Sequence, residues 1–208
     1  MSRSAAYALF VALLLMDLTF VELHRLFLQS LVGGRFSITS EQSYAEYYEH
    51  GKELLVVGLT GALAVTRRDR IYLCWTGLFA YLLWDDALEI HERLGTEITS
   101  RIAVGEVLGV PAQAAGEMLT PAAAAVLFTV ALAFTWRRGT PGARHLSMRL
   151  MSAVAALAFF GVLIDLAHSV VRTNPWNYRL GILEESGEMV VVTAIIGLVA
   201  VHLARPAA

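Results

Sequence analysis

Residues 71–94 read IYLCWTGLFAYLLWDDALEIHERL. An uncharged apolar run begins just after Arg67, Arg68 and Arg70 and ends abruptly in Asp85, Asp86, Glu89, His91 and Glu92. A hydrocarbon core of about 30 Å needs roughly 20 mainly apolar residues of helix at 1.5 Å each. The stretch therefore predicts a membrane-crossing helix over 71–92, with arginines at one end and an acidic cluster at the other.

The rest of the chain repeats this design. Of 208 residues, 57% are hydrophobic and 16% charged, and the mean hydropathy is +0.59, far from soluble composition. Six spans are predicted, at 5–28, 43–66, 71–92, 118–136, 149–170 and 182–204. The expected fold class is an all-α polytopic integral membrane helical bundle, one transmembrane domain over 1–208. Thr39 or Ser40 is the expected cap of the second span and Pro121 sits in the first turn of the fourth. The stretch 96–116 is too polar to span and predicts a short interfacial helix. The apolar run after Arg3 continues past Asp17 with no cleavage signature, so it reads as an uncleaved first span.

Charge distribution orients the bundle. Alternation puts both termini, Arg67, Arg68 and Arg70, and Arg137, Arg138 and Arg144 on one side, in short loops where the positive-inside rule acts most strongly. Both termini are thus expected in the cytoplasm, in a multi-pass cell-membrane protein (the inner membrane in a prokaryote). Of eighteen Asp and Glu, only Asp69 falls on that side. A net charge of −2 without a basic stripe excludes nucleic acid as a partner. The single cysteine, Cys74, excludes an internal disulfide and a cysteine-based zinc site.

The acidic residues converge on one plane. Counted from the arginine anchor of each span, Asp17, Glu53, Asp85, Asp165 and Glu188 lie roughly 21 to 25 Å deep, and His50, Glu89 and His168 roughly 25 to 29 Å. Helical periodicity groups Glu46, Glu49, His50 and Glu53 on one face, Asp85, Glu89 and Glu92 on another, and Glu184, Glu185 and Glu188 on a third. In a continuous helix His91 points away from Glu89 by roughly 160° and drops out.

Carboxylates inside a membrane cost several kcal/mol unless protonated, paired or bound to a cation. A divalent metal offsets that cost, and carboxylates with imidazole suit iron or manganese, with zinc also possible. The candidate ligands are His50, Glu53, Asp85, Glu89, Asp165, His168, Glu185 and Glu188, with Asp17 and Glu49 weaker. Asp86 is the candidate acid behind them, orienting a ligand or carrying a proton, or else an ion-pair partner of Arg93 or Arg179. The ligand set resembles ferritin-like carboxylate proteins in chemistry only. That family expects Glu-x-x-His on two helices, whereas this chain has Asp165-x-x-His168, a reversed His50-x-x-Glu53, and Glu185-x-x-Glu188. Against the metal stand plainer readings: snorkelling helix ends for Glu46, Glu92, Glu117 and Glu184, structural histidines, and an aromatic belt for Tyr44, Tyr47, Tyr48, Trp176 and Tyr178.

These features predict a membrane-embedded metal-dependent enzyme, an oxidoreductase or hydrolase acting on a lipid-like or hydrophobic substrate at the outer side. A proton or divalent-cation transporter or channel ranks second, because the cytoplasmic halves of the spans hold no acidic residue to continue a path. A non-catalytic subunit docking a membrane partner is the third reading, and a homo-oligomer is compatible with all of them.

Overall fold

The computed structural model describes residues 1–27, 33–102, 106–107, 110–171 and 175–206. Its helices are α1 (Arg3–Phe27), α2 (Gly33–Phe36), α3 (Tyr44–Arg67), α4 (Arg70–Ala87), α5 (Ile90–Ile102), α6 (Ala112–Glu117), α7 (Leu119–Trp136), α8 (Pro141–Ala158), α9 (Asp165–Val170) and α10 (Trp176–Leu203). A π-helical segment, Phe159–Ile164, joins α8 to α9. A two-residue antiparallel ladder, Glu106–Val107 with Val110–Pro111, interrupts the otherwise helical chain. Four helical stretches, Arg3–Phe27, Ala115–Trp136, Pro141–Ala167 and Trp176–Leu203, are long and apolar enough to cross a membrane.

Two starts are set by local chemistry. Ser43 caps α3: its hydroxyl accepts the Glu46 N–H at 3.2 Å, and the Glu46 carboxylate reaches back to the Gln42 N–H. The cap thus lies at Ser43, not at the expected Thr39 or Ser40. Thr140 caps α8, with Pro141 in the first turn. The helix therefore begins at 141, two turns before the expected 149, because a strong start signal outweighs the arginines that a hydropathy reading treats as a boundary.

The opening stretch is not one helix. α4 stops at Ala87, Glu89 takes a left-handed φ of 50°, and α5 starts at Ile90. Asp85 holds the corner by accepting the backbone N–H of His91 at 3.0 Å and the Tyr81 hydroxyl at 3.1 Å. A helix start leaves its first N–H groups without partners, and a carboxylate aimed at them favours a new start over continuation. The expected interfacial helix over 96–116 becomes the end of α5, the ladder and α6.

α10 is the axle of the bundle. In its most apolar window 44% of residues are buried, against 11% or less in the other three candidate spans. It packs on α1, α3, α8 and the π segment, while α3 pairs with α4 and α4 with α7. The core runs through Val56, Leu63, Trp75, Leu150, Ile195 and Val199. Trp75 satisfies its indole N–H on Ser147 at 2.8 Å, so even the largest buried side chain leaves no polar orphan. Outward-facing side chains such as Leu15, Val65, Leu127 and Phe134 are exposed, as a bilayer-facing surface requires.

At the arginine-rich end, buried Asp69 clamps two turns together. It accepts Ile71 N–H at 3.0 Å as the cap of α4, and Thr140 N–H at 2.8 Å and its hydroxyl at 2.9 Å. Replacing Asp69 with Ala removes a cap and two charge-assisted bonds, an expected loss of about 2–4 kcal/mol. Thermal unfolding in detergent checks this; an unchanged midpoint would dissociate Asp69 from the fold.

Candidate functional site

The acidic end is organised around one buried cation. Lys52, on α3, is 2% exposed. Its ammonium lies 3.0 Å from Asp17 Oδ1 on α1 and donates to the Met189 carbonyl on α10 at 2.9 Å. Asp17, 1% exposed, also accepts the Thr193 hydroxyl at 2.6 Å and the Tyr48 hydroxyl at 3.0 Å. The Tyr48 ring lies 4.8 Å from the ammonium, a cation–π contact. Both charges are thus paired and hydrogen-bonded, the condition under which burial is tolerated.

Around this pair lies a carboxylate chamber. Glu49 Oε1 is 3.8 Å from Lys52, yet Glu49 Oε1 and Glu53 Oε2 are shut from solvent and accept no hydrogen bond among the described residues. Glu53 feels chiefly Asp86 and Glu49 as like charges and Lys52 as the opposing one. Glu188 lies within electrostatic reach of Glu49, Glu184, Glu185 and Asp86. Glu185 feels Glu49, Glu184, Asp86 and Glu46. α3 and α10 therefore face each other across a set of like charges.

The π segment shapes the far wall. Gly161 sits so close to Glu188 that a Cβ there would collide with its carboxylate, and a Cβ on Gly187 would strike the ring of Phe160. Glycine on each side lets the π segment approach α10 at the level of Glu188. π segments of this kind often mark functional sites.

The predicted residues divide into two groups. His50, Glu49, Glu53, Glu185 and Glu188 are brought together with Asp86, whose Oδ2 lies 2.9 Å from His50 Nε2. Asp86 thus pairs with neither Arg93 nor Arg179; Arg179 instead stacks on Trp176, 5.2 Å from its ring centroid. Asp17 belongs to the lysine pair. Asp85 holds the α4–α5 corner and lies 3.3 Å from His91 Nδ1. Glu89 is turned outward and meets Arg93 at 3.6 Å with both side chains well exposed. The half-buried Asp165 opens α9, and the side chain of His168 lies outside the described residues. Among the described residues, no three His, Cys, Asp or Glu are arranged to hold a metal ion as they stand.

Sequence reasoning passed over four residues. Lys52 finds its carboxylate and carbonyl partners only once α1, α3 and α10 are assembled. Thr193 is an ordinary polar residue of an apolar helix. His91 folds back to Asp85 only because the helix breaks. His24, 1% exposed, accepts the Ile38 N–H at 3.2 Å and faces the Tyr178 hydroxyl at 3.1 Å, tying the turn after α2 to α10. Only Lys52 carried a usable signal, a cation one turn from Glu49 and beside Glu53 in an acidic stripe.

The family model described as a domain of unknown function (DUF8692) matches residues 5–203, so the chain belongs to that family. No curated protein and no solved structure matches the chain.

Removing the ammonium alone leaves Asp17 buried and unpaired. Lys52→Met is therefore expected to cost about 3–5 kcal/mol, and Asp17→Asn together with Lys52→Met to regain most of it. Thermal unfolding of the single and double variants in detergent checks this. Additive losses would mean that the two charges do not depend on each other.

Proposed function

We propose that the chain is a six-span membrane protein with both termini cytoplasmic and a cation site in the outer leaflet, and that this site serves metal-dependent chemistry on a lipid-like substrate. The spans are α1, α3, α4, α7, α8 with the π segment and α9, and α10. α3 and α4 complete the count although each carries charge: Lys52 and Glu53 in α3, Asp85 and Asp86 in α4. Lys52 and Asp85 are buried against partners within the bundle, Asp86 lies beside His50, and Glu53 is left for the cation site.

The observation that carries the reading is the pair of solvent-shut oxygens, Glu49 Oε1 and Glu53 Oε2, which accept no hydrogen bond among the described residues, while the nearby Lys52 ammonium lies 3.8 Å from Glu49 and is hydrogen-bonded to Asp17 instead. Such a chamber needs protons or a cation to offset its repulsion. A divalent ion replaces several protons at once, and the reading requires the glutamate side chains to rotate from their present positions to converge on it. Glu49, Glu53, Glu185 and Glu188 are the proposed ligands, His50 with Asp86 the proposed imidazole–carboxylate edge, and Asp165 and His168 on α9 further donors. Iron or manganese fits this oxygen-rich set best, with zinc next. The metal would act as a Lewis acid or activate water or oxygen, supporting an oxidoreductase or a hydrolase.

Transport of a cation ranks below this reading. A cavity of about 10 Å³ is lined by Glu53 and, beyond it, by the apolar Val56, Phe79, Leu82, Leu157, Val192 and Ile195, room for about one water. A conducting path would have to cross that apolar floor, where no carboxylate continues it.

Protein purified without chelator is expected to contain Fe, Mn or Zn at stoichiometric level by elemental analysis. If it is metal-free, added metal should raise its unfolding midpoint, by about 2.7 kcal/mol of stability at a hundredfold excess over Kd. Binding should weaken as pH falls, since the carboxylates must release protons to take the ion. Glu53→Gln with Glu188→Gln should abolish the metal response, and Glu89→Gln should leave it intact. Metal-free protein whose midpoint no metal moves would overturn the reading.

A further inference from the structure

The opposite, arginine-rich end of the bundle holds a second and larger opening. α1 and α8 both pack on α10 and leave over it a groove of about 430 Å³, within the usual range for small-molecule sites. Its floor is Ala194, Gly197, Leu198 and Val201, spaced i, i+3, i+4 and i+7 and hence one face of α10. Phe10 of α1 forms one wall, and its ring lies so close over Gly197 that a Cβ there would come within 2.8 Å of it.

The rim is cationic. His145 and Arg149 of α8 and Arg205, just past α10, line the groove, and no carboxylate does among the described residues. His202, also at the rim, is engaged by the Tyr72 hydroxyl at 2.8 Å. The carbonyl of Arg205 accepts from the Arg67 guanidinium, which anchors the chain end without using the Arg205 side chain. Asp69, the carboxylate of the neighbouring turns, is engaged with Ile71 and Thr140.

The dimensions identify the occupant. From Ala194 to Arg205 the floor rises through eleven residues, about 16 Å of helix, which is half of a hydrocarbon core of about 30 Å. A free phosphate would use the rim and leave the apolar floor uncovered; a neutral chain would leave the arginines without a partner. We propose that this groove binds one anionic phospholipid of the adjacent leaflet, its acyl chain lying along α10 between α1 and α8 and its phosphate held by Arg149 and Arg205. With no acidic side chain on the rim to receive a quaternary amine, an anionic headgroup is preferred over a zwitterionic one.

The test is thermal unfolding of the full chain in neutral detergent with added phosphatidylglycerol, phosphatidylcholine or glycerol phosphate. Phosphatidylglycerol is expected to raise the midpoint by about 5 °C more than phosphatidylcholine does, and glycerol phosphate to leave it unmoved. Arg149→Gln with Arg205→Gln, both at exposed positions, should raise the half-saturating phosphatidylglycerol concentration about tenfold or more. Ala194→Phe, which keeps both arginines and fills the floor, should abolish the shift and covers the case in which the arginine variant fails to fold. Equal shifts with the two lipids, a full shift from glycerol phosphate alone, or an undiminished response in either variant would overturn the proposal.

Discussion

The contact between Lys52 and Asp17 is the constraint on which the acidic end depends. One ammonium meets a carboxylate of α1 and a carbonyl of α10 while standing on α3, and the same carboxylate takes a hydroxyl from α10 and another from α3. A buried ion pair contributes little net stability over an apolar substitute. Its effect here is registry: sliding α1 or α10 by one turn would part the charges in a medium where parted charges are costly. The pair also sets the electrostatics next door. Because Lys52 is engaged by Asp17, it lies only at 3.8 Å from Glu49, and the carboxylates beyond are left facing one another.

Two departures from regular helix bracket that chamber, and each has a physical cause. At 88–89 the Asp85 side chain competes for the N–H of His91, and the chain turns through a left-handed Glu89. Across the bundle, the π segment widens the helical ladder next to glycines at 161 and 187, bringing its backbone close to Glu188. Both distortions occur at the depth of the carboxylates, and the arginine-rich halves of the same helices are regular. Irregular helix in a membrane is tolerated where it lies against protein or water; the π segment packs its Gly161 against Glu188, whereas the 88–89 corner is exposed.

What was legible in the sequence followed from single-helix physics. Length, apolarity and the arginine anchors marked the long apolar helices, with α7 matched within one residue and the starts of α8 and α10 set too late by eight and six, and helical periodicity placed Glu49 with Glu53 and Glu185 with Glu188 on single faces. The depth count failed where a side chain acts on its own backbone. Asp85 and Glu89 share the depth of the others, but a carboxylate that caps a second helix start cannot be told from a ligand by spacing, and the face assigned to Glu89 assumed a helix that stops at Ala87. Lys52 was undervalued for the opposite reason: its role exists only after three helices from distant parts of the chain are assembled. Hydropathy likewise misplaced the start of α8, since Arg144 and Arg149 are part of the helix and their charged ends reach out of the apolar layer on long stems.

The division of charge between the two ends constrains any function assigned to the bundle. Acidic groups gather at one level and arginines at the other, and between Glu53 and the arginine end lies packed hydrocarbon with space for about one water. A machine that moves ions must at some moment hydrate or coordinate them along its whole length, so its helices carry polar groups in both leaflets. Here the carboxylates of α10, Glu184, Glu185 and Glu188, give way within about one turn to the core residues Val192, Ile195, Ile196 and Val199, among which the buried Thr193 donates to Asp17. In the proposed orientation, a site closed on one side by such a floor would exchange its contents with the outer face or sideways with the outer leaflet. On the proposed function, such a floor suits chemistry on a molecule that arrives from the membrane better than passage of an ion through it.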